Sequence, residues 1–526
     1  MPDAGEFAPD AFAPASASCT ANYAGDDAVR PVRRNAAGEI ERAEREATGS
    51  VIAHGGEGSG GRGEESERGE ENGRGEVKER LAFKRGHLLG YAGLFLFTAV
   101  LYFRPYEFFP EYTFLFSLAF WVAVCTLAVF IPTQFMLEGT LTARPREVNL
   151  VILLTVLVLV GMPLATDPGM AWKLFNDLYL KYVLMFIVLV NVVRTERRLK
   201  WLLLLALAVG CVLSVSALRD FESGNFTVEG YRVTGNIGGM FGNVNDMALH
   251  LVITVPIAIG LFLQTRSLLQ KIAYALCCLV MVTGIIFSYS RGAFLGLICV
   301  VATFVWMLFR RNRVIAVVLF FAVIALMLVL APGNYINRVV SIVDHSRDAA
   351  GSAQQRQAVL LRSIFISARH PLLGVGMGNF PIYSIRNFVT HNSYTQVSSE
   401  LGMPALVVYV MFMLTPLRRL ARVARETFAT RRDTRVHYLA VGLAASLVGY
   451  MMASAFIAVA YWPYVYYVVG YAVTLRRIYE AEQSVVCENA EAKTNDARIE
   501  HAATNHALND HLPAATGRIR ALHESS

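Results

Sequence analysis

A long polar stretch, from about Pro332 to Glu400, lies between two strongly apolar runs and closes with Gly374-Val375-Gly376-Met377-Gly378-Asn379-Phe380, His391-Asn392-Ser393-Tyr394 and Glu400-Leu401-Gly402. The sequence on both sides has the composition of a membrane protein. A multi-span protein that keeps such a segment out of the lipid, with a His beside hydrogen-bonding side chains, has a place for chemistry at the membrane surface. We therefore expect the functional site in this stretch.

The composition indicates an integral membrane protein. Of the 526 residues, 55% are hydrophobic and 17% are charged, whereas a soluble domain carries about 25% charged residues. The net charge of +7 comes from basic residues in loops and tails, so it does not indicate nucleic-acid binding. Seven Cys residues are present without a CxxC pair, and this pattern gives no support to a zinc ribbon or a redox motif.

The apolar runs predict an all-α protein with about twelve membrane spans, each long enough to cross roughly 30 Å of hydrocarbon. Their approximate centres are Leu94, Ala123, Thr155, Met185, Leu205, Val255, Val280, Val301, Ala322, Val408, Leu447 and Val468. The membrane domain is predicted to cover residues 87–478. The polar segments 1–86 and 479–526 are predicted to be disordered tails, because they have too few large apolar side chains to form a core.

Basic residues follow every second span, which predicts the orientation of the chain. The clusters include Arg144, Arg194, Arg266, Arg310 and Arg431. Cytoplasmic loops of membrane proteins carry an excess of Lys and Arg. Both tails are therefore predicted to be cytoplasmic, and the two long loops, about 218–243 and about 332–400, are predicted to face outward. The second of these joins spans nine and ten.

The outer loop 332–400 contains a predicted helix from Ala353 to Ala368 that ends before Pro371. Apolar side chains repeat along one face of this helix, and polar ones lie opposite. The apolar positions are Ala358, Leu361, Ile364, Phe365 and Ala368, and the polar ones are Arg356, Ser363 and Ser367. Two arrangements fit the pattern: the helix lies in the headgroup region, or it packs on the bundle.

Three outward residues are candidates for chemistry. Arg291, in a tight hairpin that holds Gly292, and Arg232 could each bind an anion, since guanidinium forks suit phosphate oxygens. The alternative for Arg291 is that its side chain snorkels to lipid headgroups. His391 could act as a general base, although a single loop His is often a bystander. The spacing Gly374-x-Gly376-x-Gly378 lacks the strand and helix of a nucleotide fold, and we expect it to shape a tight loop after Pro371.

Together these segments resemble the O-antigen ligase and polymerase superfamily of bacterial envelope glycosyltransferases. The matching segments are Arg232-Val233-Thr234-Gly235, Asn243-Val244-Asn245-Asp246-Met247-Ala248, Ser290-Arg291-Gly292-Ala293, His370-Pro371-Leu372-Leu373-Gly374-Val375-Gly376, His391-Asn392-Ser393-Tyr394 and Glu400-Leu401-Gly402. Their order within a frame of about twelve spans is more specific than any single segment. The chain departs from the family at Val244, where Pro is common.

The resemblance implies a GT-C-like membrane enzyme of the bacterial inner membrane with its active loop in the periplasm. Such enzymes move a glycan from an undecaprenyl-diphosphate donor to lipid A-core, to a growing glycan or to a protein hydroxyl, without a metal or other cofactor and with inversion. Carried over, His391 is the base, and Arg232 and Arg291 hold the diphosphate. The candidate supporting residues are Asn243, Asn245, Asn392, Tyr394, Glu400 and Arg356.

Several functions remain open from the sequence. Ligase, polymerase and protein O-oligosaccharyltransferase share the donor chemistry and differ in the acceptor. A polytopic transporter is a different class, for which related halves with broken helices are expected, and no such repeat is seen in the sequence. A non-catalytic envelope scaffold is the third alternative. Membrane lipid is an expected partner in all of these, and nucleic acid is not.

Overall fold

The computed structural model describes residues 86–109, 111–226, 232–234, 237–309, 312–330, 352–430 and 434–510. Every long element in these ranges is a helix, as predicted. The helices are α1 Leu88–Phe103, α2 Leu115–Glu138, α3 Arg146–Gly161, α4 Pro168–Val192, α5 Glu196–Glu222, α6 Val244–Gln264, α7 Leu268–Phe287, α8 Arg291–Leu308, α9 Arg313–Leu330, α10 Ser352–Arg369, α11 Ser393–Thr430, α12 Thr434–Ala453 and α13 Pro463–Asp510. The predicted N-terminal tail lies outside these ranges except for its last residue.

Ten helices of the described chain are long and apolar enough to cross a membrane. Each of them contains the centre of one predicted span. The two remaining predicted centres, Ala322 and Val468, lie in α9 and α13. Helix α9 is apolar from Val314 to Leu330, and α13 begins with a Tyr-rich segment followed by Arg476 and Arg477. The count of twelve spans remains a prediction, because ten helices of the described residues meet the length and composition that a span needs.

Helix α13 has a buried start and a long C-terminal continuation. Residues Val465 to Val469 are all buried, so the start of the helix is enclosed on every side, unlike a span that faces lipid. The helix also continues to Asp510, through most of the segment 479–526 that the sequence predicts as a disordered tail. Ala and Glu are frequent in this part of the chain, and they are strong helix formers. The chain separates into two compact units at Ile478/Tyr479, and residues 86–478 contain the helical bundle.

The loops at the basic end of the bundle contact one another. Arg194 forms an ion pair with Glu138 at 2.5 Å (Nη2 to Oε1), which joins the ends of α4 and α2. Gln264 donates a hydrogen bond to Glu196 at 2.6 Å, which joins α6 and α5. These are the loops that the sequence predicts to be cytoplasmic.

The loops at the opposite end also contact one another, and we call this the long-loop end. The Gly238 amide donates to Glu107 Oε2 at 2.6 Å, and the Thr166 amide donates to the Val375 carbonyl at 3.0 Å. The loops that follow odd-numbered spans therefore lie at one end, and those that follow even-numbered spans lie at the other. Helices that each cross a bilayer once require this arrangement. Which end faces the cytoplasm remains a prediction from the basic residues.

The centre of the bundle depends on close backbone contacts between α6, α12 and α8. A Cβ added to Gly442 of α12 would lie 2.8 Å from the Pro256 carbonyl oxygen of α6, and one added to Gly296 of α8 would lie 3.1 Å from the Gly449 carbonyl oxygen. Ser446 Oγ donates to the Ile253 carbonyl at 2.8 Å. Small residues let membrane helices approach closely, because dispersion contacts and hydrogen bonds replace the hydrophobic driving force.

We predict that Gly442→Ala destabilises the bundle. The new methyl group would clash with a backbone oxygen, and a change of side-chain conformation cannot relieve that clash. Overpacking of this kind costs about 1–3 kcal/mol. The matched control is Gly90→Ala in α1, where the added Cβ meets nothing closer than 3.4 Å. Thermal unfolding in detergent should show a lower midpoint for the first variant only, and equal midpoints would contradict the packing argument.

Candidate functional site at the long-loop end

A break in α11 organises the long-loop end. Gly402 has φ 88° and ψ 173°, outside the helical region, and Pro404 follows it. Pro404 has no amide hydrogen, so the carbonyl of Glu400 loses its helical donor. The Gly376 amide replaces that donor at 2.9 Å, and the Val375 amide donates to the Ser399 carbonyl at 2.9 Å. The loop after Pro371 therefore completes the hydrogen bonds of a broken helix.

The glycines of this loop permit the close approach. Gly374, Gly376 and Gly378 all have positive φ, at +65°, +102° and +73°, and a Cβ on Gly374 would lie 2.3 Å from the Glu400 carbonyl carbon. L-residues other than Gly rarely adopt such a conformation. The expectation that this spacing shapes a tight loop is confirmed.

Glu400 holds the same loop through its side chain. Its Oε2 accepts hydrogen bonds from the Gly378 amide at 2.8 Å and from Tyr461 Oη at 2.8 Å. The side chain is buried, and buried carboxylates are stable only when such donors surround them. These contacts give Glu400 a structural role that links the loop to the segment after α12.

A polar cluster joins the other outer loop to the starts of α6 and α8. Arg232, only 3% exposed, donates from Nε to the Ser288 carbonyl at 2.9 Å and from Nη2 to Asn245 Oδ1 at 2.9 Å. Ser290 Oγ donates to the same Asn245 oxygen at 2.9 Å. Asn243 caps α6 by accepting from the Asn245 amide at 2.8 Å. Arg232 therefore fixes the position of Asn245.

The start of α8 presents Arg291 beside this cluster. Ser290 caps the helix, and Arg291 is its first residue. A tight hairpin at this point suggests that Gly292 adopts the left-handed conformation. In the structure Tyr289 adopts it instead, with φ 49°. Gly292 instead allows the chain to approach Phe456, whose Cβ would lie 2.7 Å from an added methyl group.

His391 lies at the start of α11 in a left-handed conformation, with φ 51°. Asn392 caps the helix, since its Oδ1 accepts from the amides of Tyr394 at 2.9 Å and Thr395 at 3.0 Å. Ser393 Oγ donates to the Ile457 carbonyl at 2.7 Å. Burial, together with the smaller effect of the positive charge of Arg356, lowers the pKa of His391 to about 4. The imidazole is therefore neutral near pH 7.

A small, partly open cavity connects these elements. Its lining includes Asn245 and Ser290, Arg356 of α10, and Phe456 and Ile457. Arg356 also acts on His391 through its charge. The cavity therefore has a cationic group, two hydrogen-bonding side chains and a neutral imidazole nearby.

The structure separates the predicted site residues into two groups. Asn245 and Arg356 line the cavity. Arg232 donates a hydrogen bond to Asn245, Arg291 stands in sequence between the lining residues Ser290 and Gly292, and the charge of Arg356 acts on His391. The remaining candidates stabilise the frame: Asn243 and Asn392 cap helices, Glu400 holds the glycine loop, and Tyr394 donates to the Met451 carbonyl at 2.7 Å. In the described chain, no group of three or more His, Cys, Asp or Glu side chains has the arrangement of a metal site.

Sequence reasoning missed Ser290, Phe456 and Ile457 as parts of the site. A capping Ser before a helical run is a readable signal for Ser290. Nothing in the sequence distinguishes Phe456 and Ile457 from other apolar residues, because only the tertiary packing brings them to the cavity.

Long apolar helices whose loops gather at two ends define a multi-pass membrane protein. A family model described as O-Antigen ligase matches residues 276–410. This region includes α8, α9 and α10, with Arg291, Arg356 and His391, whereas Arg232 and Asn245 lie before it. The match confirms the predicted resemblance to the O-antigen ligase superfamily. The family implies a ligase- or polymerase-type transfer of a glycan. No curated protein gives a significant match.

We predict that Glu400→Ala reduces the amount of folded protein, because two donors lose a buried acceptor at a cost of about 1–3 kcal/mol each. Glu400→Gln keeps one side-chain oxygen as an acceptor and should be milder. Folded yield and thermal midpoint check the order of the two variants. A Glu400→Gln protein that folds normally but transfers no glycan would instead indicate a direct chemical role.

Proposed function

We propose that the chain transfers a glycan from an undecaprenyl-diphosphate donor to an acceptor hydroxyl at the long-loop end, in the manner of an O-antigen ligase of the inner membrane, with lipid A-core as the acceptor. The observation that supports this proposal most directly is Arg356, which lines the cavity and acts electrostatically on His391. The basic residues of the opposite end support a cytoplasmic position for that end. The cavity would then open to the periplasm.

The arginines have different roles in binding the diphosphate. Arg291 and Arg356 are both partly exposed, and a planar guanidinium binds phosphate oxygens in a bidentate manner. Arg232 is buried and donates to Ser288 and Asn245. We therefore assign diphosphate binding to Arg291 and Arg356, and we assign Arg232 a positioning role through Asn245. Positive charge near lipid stabilises the charge that develops on the leaving diphosphate.

His391 takes the proton of the acceptor hydroxyl. The hydroxyl oxygen forms a bond to the anomeric carbon while the bond from that carbon to the diphosphate oxygen breaks. The bonding electrons leave with the diphosphate, and direct displacement inverts the anomeric centre. A positioned base contributes typically about 10²–10⁴-fold to such a step. The neutral form of His391 is the form that can accept the proton.

We predict that His391→Ala lowers transfer by about 10²-fold or more, in line with the loss of a general base, while the protein remains folded in the membrane. The matched control is His370→Ala, a second His of the same loop that is not adjacent to the cavity residues. Transfer from a lipid-linked glycan in proteoliposomes measures both. A normal rate for His391→Ala would remove the base assignment.

We predict that Arg356→Gln moves the acid limb of the kcat/KM profile to higher pH. The charge of Arg356 lowers the pKa of His391, so its removal raises that pKa, and the base form of His391 is then lost at a higher pH. Arg386→Gln, a change of an exposed Arg in the same outer loop that does not act on His391, is the control. The midpoint of the limb is the readout, because loss of a diphosphate ligand lowers the rate at every pH. An unchanged midpoint would separate Arg356 from His391.

A further inference from the structure

Helix α10 packs with a face that mixes apolar and polar side chains, and it turns its predicted apolar face outward. Val359, Ser363, Ile366 and Ser367 are buried, and Ser367 Oγ lies 2.8 Å from Ser398 Oγ of α11. The predicted apolar face points away from the bundle: Leu361 is 61% exposed, Ile364 50% and Phe365 52%. From the sequence, membrane contact and packing on the bundle are alternatives for this helix. The structure makes them compatible, because they use different faces. We call Leu361, Ile364 and Phe365 the outward face.

The neighbouring part of α11 bends across the end of the bundle. The rings of Tyr394 and Tyr409 lie 6.2 Å apart, whereas a straight helix would separate residues fifteen positions apart by about 22 Å. The segment Ser393–Leu401 is therefore turned at Gly402 relative to the rest of α11. Helix α10 runs beside this segment, with Ser367 next to Ser398 and the Pro371 carbonyl accepting from the Met403 amide at 2.7 Å. Helix α10 therefore packs against the turned segment of α11.

The end of α10 lies next to the point where the apolar part of α11 begins. Helix α11 becomes continuously apolar after Gly402, and its exposed Met403, Val407 and Met411 follow one another along a single stripe. Leu372, 72% exposed, adjoins the start of this stripe, because a Cβ on Gly402 would lie 2.3 Å from the Leu372 carbonyl oxygen. An apolar surface exposed along a membrane span is covered by lipid. The outward face of α10 continues that surface at the level where it begins.

Basic residues border the outward face. Arg362 and Arg369 are exposed, and the Arg362 guanidinium lies 5.6 Å from the centroid of the Phe365 ring. Interfacial helices have this composition, with large apolar side chains in the acyl region and Arg beside the headgroup phosphates. A helix that faced water on this side would expose three large apolar side chains without compensation.

We propose that the outward face of α10 docks into the outer leaflet of the bilayer next to α11, so that the helix lies in the membrane surface. Leu361, Ile364 and Phe365 enter the acyl region, and Arg362 and Arg369 contact lipid phosphates. Because Arg356 lies about one and a half to two and a half turns before Leu361, Ile364 and Phe365, the docked helix holds the cavity at the level of the lipid headgroups. The proposal does not depend on the transfer reaction.

Photo-crosslinking of the full-length protein tests the proposal. Phe365 is replaced by benzoylphenylalanine, and the protein is illuminated in vesicles of phosphatidylethanolamine and phosphatidylglycerol. The matched control carries the same label at Gln355, which is exposed on a different side of α10. We expect mass spectrometry to find phospholipid adducts at position 365 in several-fold higher yield than at position 355.

A second variant tests the contribution of the neighbouring side chains. Leu361→Gln with Ile364→Gln in the labelled protein should reduce the adducts at position 365 several-fold, while the membrane spans keep the protein in the vesicles. Three results would overturn the proposal: crosslinks between two copies of the chain, crosslinks from position 365 to another segment of the same chain in place of lipid, or equal adduct yields at positions 365 and 355.

Discussion

The break in α11 at Gly402 is the constraint on which the long-loop end depends. A helix interrupted inside a bundle leaves backbone carbonyls without donors, and a buried carbonyl without a partner is costly. Here Pro404 removes one amide, and Met403 donates to Pro371 instead of to its own helix. The glycine loop supplies the replacement donors, and it can do so only because Gly374 tolerates both a positive φ and contact with the Glu400 backbone. The break and the loop therefore require each other.

This constraint also positions the cavity. The turn at Gly402 directs the first residues of α11 across the bundle, where Ser393 reaches the carbonyl of Ile457. Ile457 and its neighbour Phe456 then face Gly292 at the start of α8. The site is consequently built from helix starts, at which unpaired amides and polar capping residues collect. Asn245 illustrates the result, since it follows a cap residue and accepts from two side chains that belong to different loops.

Most of the frame could be predicted from the sequence, because a bilayer demands long apolar runs and these are visible without any tertiary information. The same reasoning is weaker for α13. Its Tyr residues are less apolar than the side chains of a lipid-facing span, and they are enclosed by protein. The direction of α10 was not predictable either. Large apolar side chains lie on both sides of the helix. Val359 and Ile366 pack inward with Ser363 and Ser367, whereas Leu361, Ile364 and Phe365 face outward, so hydropathy alone does not choose the packed face.

The site shows a similar division. The sequence indicates Arg291 because a charged residue at the edge of the lipid stands out, and it indicates His391 because a titratable side chain lies beside hydrogen-bonding residues. The contacts that distinguish a ligand-binding Arg from a positioning Arg depend on partners far away in the sequence. Arg232 illustrates this limit, since its Ser288 and Asn245 partners come from two other segments.

The low pKa of His391 has a consequence under the proposed function. A base with a pKa of about 4 is always neutral near pH 7 but attracts a proton weakly, whereas the best general bases have a pKa near the working pH. A bound diphosphate would bring negative charge to Arg356 and offset its effect on the imidazole. The pKa of His391 would then rise while the donor is present and fall again when the product leaves. Arg356 would thus make the strength of the base depend on the presence of the substrate. This effect follows from the positions of the charges in the cavity and requires no movement of the helices.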